Sequence, residues 1–261
     1  RLRWAVFVAR PDGEDERYAL RLTAIGEDSE PAASRWGRFE RAARVLAELD
    51  QPEVIRVHAF GVMEGGDFAY LAMDLIEGRT LAELHETEGL SLERKLEVAA
   101  AVARALRCVH AVGGIHGDLR PKNVMVRSGT GLPVLCDFSL LEPATHVSLT
   151  TGSRRNGSAA FCAPESITGG TVAQGPPADV FALGVMLYVM LSGRYPFEGD
   201  GPIALIKQIL SWNPPAPSAD ATQRRWGLDD LVLAVLAKTP ADRPTASDVA
   251  ERLDRALRSE D

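Results

Sequence analysis

The chain has 261 residues, 46% of them hydrophobic and 25% charged, with 29 basic against 36 acidic side chains and a formal net charge of −7. Those proportions exclude disordered, collagen-like and coiled-coil chains. The acidic balance also lacks the field that draws proteins to nucleic acid or anionic membrane surfaces. Trp4 to Ala9 and Arg17 to Thr23 are short apolar-rich runs joined by Pro11-Asp12-Gly13-Glu14-Asp15, a pattern that predicts a hairpin. Residues 26–34 read as a polar loop. Trp36, Phe39, Ala43, Leu46 and Leu49 then recur at helical spacing until Pro52 closes the pattern. Two more strands follow, Ile55 to Phe60 and Phe68 to Leu75, around the turn Glu64-Gly65-Gly66-Asp67.

After Gly78 the period is 3.6 almost throughout. Leu92, Leu96, Ala99, Val102, Ala103, Leu106 and Val109 form the stripe of a long helix. Phe181 to Met190 is apolar nearly all round, as in a helix buried at a domain centre. Further helices are predicted after Pro202, over Leu228 to Leu236, and from Thr245-Ala246-Ser247-Asp248, which has the makings of a cap. The pattern is a small β-rich lobe followed by a larger helical one.

Cys108, Cys136 and Cys162 are odd in number and far apart, so a disulfide framework or zinc site is not expected; buried free thiols in a reducing, cytoplasmic setting are. The longest apolar run, Val180 to Leu191, is too short to cross a bilayer. A chain that begins at Arg1 rather than Met reads as an excerpt with flanking domains. Only Lys95, Lys122, Lys207 and Lys238 are lysines, which leaves 25 arginines.

The residues that carry chemistry lie between the lobes, in His116-Gly117-Asp118-Leu119-Arg120-Pro121-Lys122-Asn123 and, beyond it, Asp137-Phe138-Ser139. Phosphoryl transfer is mostly a matter of positioning and charge neutralisation. It needs an acid to accept the proton of the attacking hydroxyl and oxygen ligands for Mg2+ on the phosphates. Asp118, Asn123 and Asp137 supply such groups, and Mg2+ takes one or two carboxylates beside water and phosphate oxygens.

This segment resembles the HRDLKxxN catalytic loop and DFG motif of protein kinases. The resemblance continues through Ala163-Pro164-Glu165 (the APE motif), Asp179 to Gly184 (DxWxxG) and Asp242-Arg243-Pro244, whose arginine pairs with the APE glutamate in the family. It implies an α+β, bilobal protein-kinase-like fold: a small antiparallel β lobe with one helix over residues 1–76 and a mainly helical lobe over 77–261. It also implies ATP with Mg2+ (Mn2+ as the alternative) as cofactors, and a protein substrate or partner. Asp118 would be the base, Arg120 would stand near the transferred phosphate, and Asn123 and Asp137 would hold the metal. Met73 would be the gatekeeper and Asp74 to Ile76 the adenine-binding hinge, with Val6, Ala19 and Met125 around the ring. His116, Phe138, Leu46 and Val57 match the stack that links the lobes. Gly157-Ser158 resembles the Gly-Thr of the substrate loop, and Thr150, Thr151 and Ser153 fall in the activation segment.

The departures from the family gather at the ATP clamp. Arg21 stands where the family has its strand lysine, and the helix glutamate that should pair with it falls on Ala42. Glu40 is two residues away, roughly 200° round a helix, and should face elsewhere. Leu2 and Trp4 replace glycines of the phosphate loop, and Gly117 replaces the arginine that reads a phosphorylated activation loop. Two readings follow. One is a Ser/Thr protein kinase of impaired activity; the other is a pseudokinase that acts as a binding, scaffolding or allosteric module. The triplet His116-Gly117-Asp118 also occurs in small-molecule kinases, a third reading that the APE and Asp179 motifs oppose.

Overall fold

Strand β1 (Trp4–Ala9) pairs antiparallel with β2 (Tyr18–Ala24), as the hairpin pattern predicts. The computed structural model describes residues 4–11, 13, 15–25, 32–139, 159–169, 175–218 and 227–258. Leu2, Thr150, Thr151, Ser153, Gly157 and Ser158 lie outside the described residues. β3 (Val57–Val62) and β4 (Phe68–Asp74) complete a four-stranded antiparallel sheet of order β1-β2-β4-β3. In β4 the buried residues are Ala69, Leu71 and Met73, the period-2 alternation of a strand with one covered face. Helix α1 (Ala32–Ala47) lies against this sheet through Phe39, Ala43 and Leu46, all buried.

Strand β3 begins two residues later than the apolar run suggests, and the reason is a competing partner. The Ile55 N–H donates to the Leu135 carbonyl at 3.0 Å and the Leu135 N–H donates to the Glu53 carbonyl at 2.8 Å. Residues 53–55 are thus held by the other lobe as a short parallel bridge, Val54 opposite Leu135.

The helical lobe carries a second sheet that the 3.6-residue reading did not expect. β5 (Gly78–Thr80), β6 (Val124–Arg127) and β7 (Pro133–Leu135) pair antiparallel in sequence order. Strands this short leave almost no alternation to detect. Helix α2 (Leu81–Thr87) follows β5 behind a complete capping box: Thr80 Oγ1 accepts the Glu83 N–H, and Glu83 accepts the Thr80 N–H at 2.8 Å. Ser91 caps α3 (Leu92–Ala111). Helices α4 (Pro164–Thr168), α5 (Pro176–Ser192), α6 (Pro202–Ser211), α7 (Leu228–Val235) and α8 (Ala246–Arg258) complete the lobe. As its composition predicts, α5 is buried along nearly its whole length. At Gly184 it meets α7 so closely that a Cβ would stand 2.5 Å from Val235 Cγ2. Thr245 and Asp248 form the expected cap of α8.

The three cysteines are free and only partly covered rather than fully buried. Burial still pushes the Cys136 and Cys162 thiols up to about 12, so neither is a thiolate at neutral pH. Among the described residues, no helix is long and apolar enough to cross a membrane.

Candidate active site

The loop 116–123 is anchored from below by Asp179, an acid in the first turn of α5 that is itself buried. Its Oδ2 accepts the His116 N–H at 2.8 Å, its Oδ1 accepts the Gly117 N–H at 2.9 Å, and His110 Nε2 reaches Oδ2 at 2.9 Å. A buried carboxylate surrounded by donors fixes backbone as firmly as a helix cap does. His116 is fully buried. Its Nδ1 accepts the Asp118 N–H at 3.1 Å, so Nε2 carries the proton and donates to the Cys136 carbonyl at 2.8 Å. Burial lowers the pKa of this imidazole against the pull of Asp179, which keeps it neutral and in that tautomer.

Asp118 is thereby aimed from a rigid floor. Asn123 Nδ2 donates to its backbone carbonyl at 2.7 Å and to its Oδ2 at 3.1 Å. Burial raises the pKa of the Asp118 carboxyl, while the Arg120 charge and the Asn123 hydrogen bond oppose the rise. Asp118 nonetheless remains exposed, so its carboxylate is open to an incoming hydroxyl. Asp137, across the site, adopts a left-handed backbone (φ 57°), which aspartate tolerates better than most residues. The Ser139 N–H donates to the His116 carbonyl at 2.9 Å and so ties the two loops together.

Arg21 reaches this group from β2. Its Nη1 lies 3.5 Å from Asp137 Oδ1 and donates to the Phe138 carbonyl at 3.1 Å. The side chain is only 13% exposed, and the Trp4 ring centroid lies 5.5 Å from its guanidinium carbon. Burial lowers the pKa of Arg21, and Asp137 and Asp118 counter it by holding the charge. Ala42 packs against the core and offers no carboxylate, and Glu40 is bound to Arg44 at 2.7 Å, pointing away as its helical phase predicts.

Of the remaining expected residues, Val6, Ala19, Met73 and Asp74 lie on strands of the first sheet and Met125 on the second. Ala19 is opposite Met73 across β2 and β4, and Val6 is opposite Arg21 across β1 and β2. Met125 lies on β6 beside Val134 of β7. Ile76 follows β4 in the connection to the second lobe. The Asp74 N–H is committed to the Arg56 carbonyl at 3.0 Å. Its side chain bridges the lobes: Oδ1 meets His58 Nε2 at 2.8 Å and Oδ2 accepts from Arg127 Nη2 at 2.9 Å. Leu46, Val57, His116 and Phe138 are all buried, with the His116 and Phe138 ring centroids 4.5 Å apart.

Sequence reasoning missed three contacts here. One is Arg127 on Asp74, and another is Trp4 over Arg21. The third links two departures from the family pattern: Gly117 has φ +80°, and a Cβ on it would stand 2.9 Å from the Ser139 Cβ. The serine at the position of the DFG glycine thus lies where a side chain at position 117 would begin.

Asn123 and Asp137 are donors of the kind Mg2+ accepts, an amide and one carboxylate with room for phosphate oxygens. They fit the ion in kind, although Arg21 already leans on one oxygen of Asp137.

A family profile described as "Protein kinase domain" matches residues 5–253. Among curated proteins, the serine/threonine-protein kinase PknB of Mycobacterium tuberculosis is 33% identical over 229 residues, covering 85% of this chain and 36% of PknB. A probable serine/threonine-protein kinase PknB of Lactococcus lactis is 29% identical over 256 residues, 92% of this chain and 38% of that protein. The chain therefore spans little more than a third of the length of these relatives. A crystal structure of Rad53 1-466 in complex with AMP-PNP superposes with a TM-score of 0.73 at 20% identity, over 97% of this chain and 62% of that one, a likeness of fold. By its family profile and its bacterial relatives, the chain belongs to the protein kinase domain family, in the eukaryotic-like serine/threonine group of bacterial type.

Proposed function

We propose that the interlobe cleft binds ATP and transfers its γ-phosphoryl group to a hydroxyl of a protein substrate, at a reduced rate. The lobes are taken as residues 1–76 and 77–261, with the adenine between Val6, Ala19 and Met73 above and Met125 below. The observation that carries this reading is the Asp118–Asn123 pair on its Asp179 floor. It holds an exposed carboxylate, favoured as an anion by Arg120, where an incoming hydroxyl would be oriented.

In the transfer step the substrate oxygen bonds to the γ-phosphorus as the bond to the β–γ bridging oxygen breaks. The hydroxyl proton passes to an Asp118 oxygen and ADP leaves with the bond pair. Arg120 lies close enough to Asp118 to influence its charge and would bear on the transferring group. Asn123 and Asp137 would hold Mg2+, or Mn2+ in its place, which when bound supplies charge neutralisation at the phosphates. Arg21 without a carboxylate partner on α1 makes a looser clamp than a fixed ion pair does, which is the basis for the reduced rate.

The pseudokinase reading rests on that same Arg21–Asp137 contact, since it ties up a group the chemistry needs. A melting-temperature titration with ATP, followed by transfer of labelled phosphate to a generic protein substrate, separates the two. Nucleotide-dependent stabilisation with transfer lost in Asp118→Asn is expected. Stabilisation without any transfer would establish the pseudokinase reading instead.

A further inference from the structure

A guanidinium and a divalent cation can answer the same need, a fixed positive charge beside polyphosphate. In this cleft the guanidinium has already taken a place next to the carboxylate that would hold the ion. Ala42 leaves α1 without an acid at that point, and Glu40 is committed to Arg44. Among the described residues, the carboxylate that Arg21 reaches is Asp137, with the Phe138 carbonyl as its second acceptor. Trp4 covers it from the β1 side. The Arg21 Nε–H is buried and has no hydrogen-bond partner among the described residues. Arginine has more N–H donors than these contacts use, set in a planar fork that suits phosphate.

We propose that Arg21 stands in for the divalent cation in nucleotide binding, so that the cleft takes the polyphosphate of a nucleoside triphosphate as the free anion. The inference rests on the nucleotide site proposed above. It separates grip, which Arg21 supplies by neutralising Asp137 and engaging the phosphates, from transfer, for which the metal is still needed. The sequence change that creates this division is Ala42 as much as Arg21. With an acid at 42 the cation would be drawn towards α1 and Asp137 would be free for a metal.

Isothermal calorimetry with ATP, in EDTA and in saturating Mg2+, tests it without reference to turnover. For the unmodified chain the two dissociation constants are expected to agree within about threefold. Ala42→Glu should make binding metal-dependent by about tenfold or more. Because a new acid on a partly buried face could unsettle α1, Arg21→Gln serves as the second variant. It should lose about tenfold or more of its affinity in EDTA and much less in Mg2+. A tenfold or greater loss of affinity in EDTA for the unmodified chain would overturn the inference and leave the nucleotide site standing. Equal losses for Arg21→Gln in both buffers would do the same. No heat of binding in either buffer, from protein with an unchanged melting temperature, would remove the nucleotide site and the inference with it.

Discussion

Replacing Glu165 by alanine removes the carboxylate that faces Arg243, and the cost can be judged from what stays behind. The Arg243 side chain is 0% exposed and that of Glu165 17%. The pair is bidentate, Nη1 to Oε1 at 2.7 Å and Nη2 to Oε2 at 2.8 Å. Three carbonyls hold the guanidinium from other sides: Ala237 and Pro177, each at 2.8 Å, and Lys238 at 3.2 Å. Those carbonyls survive in Glu165→Ala, so the guanidinium keeps polar neighbours but loses its counter-charge. Breaking a buried pair from one side costs about 3–5 kcal/mol, and the surviving carbonyls place this case near 3 kcal/mol. For a chain of this size that is a fall in melting temperature of roughly 6–12 °C. Urea unfolding followed by far-ultraviolet circular dichroism measures it, with Glu165→Gln expected about midway because one acceptor remains. A loss under about 1 kcal/mol, the range of exposed pairs, would show that the pair is solvated and that the reasoning from burial is wrong.

Gly117→Arg is expected to destabilise the chain by about 1–2 kcal/mol through its left-handed backbone alone, and further through contact with Ser139. Adding Ser139→Gly should recover part of the loss with a coupling of at least about 0.5 kcal/mol, and strictly additive effects in a double-mutant cycle would refute that contact. For His116, whose folded pKa lies below the ordinary 6.5, the unfolded chain binds a proton that the folded chain resists. Its contribution to stability is therefore complete above that ordinary value and is lost as pH falls from it towards the lowered folded value. Melting temperatures of the unmodified chain and His116→Leu should converge as the pH is lowered through this window; parallel curves would exclude His116 as the titrating group.

Much of the fold is legible in the sequence because its elements are long or clearly patterned. The α3 stripe, the apolar α5 and the Trp4–Ala9 strand all fall where periodicity puts them. The sheet β5-β6-β7 is not legible, since its strands are three or four residues long and β5 pairs with a strand distant in sequence, β6. The shift of β3 is hidden for a similar reason. Ile55 is as apolar as a strand residue should be, but Leu135 claims its backbone. At the site, motif order identifies Asp118, Asn123 and Asp137, and the phase of α1 turns Glu40 away. What motif order cannot convey is where a side chain goes once its usual partner is gone. Arg21 lands on Asp137, and Ser139 lies against Gly117, only because three-dimensional packing brings them together.

Among the described residues, the contacts that join the lobes include Asp74 with Arg127, residues 53–55 with Leu135, and Arg21 with the Phe138 carbonyl. Leu135 is two residues from Asp137, so the backbone seam between the lobes runs almost into the chemistry. Asp137 is held beside that seam while Arg21 meets it from the other lobe, so the two opposite charges of the proposed phosphate site belong to different halves of the molecule.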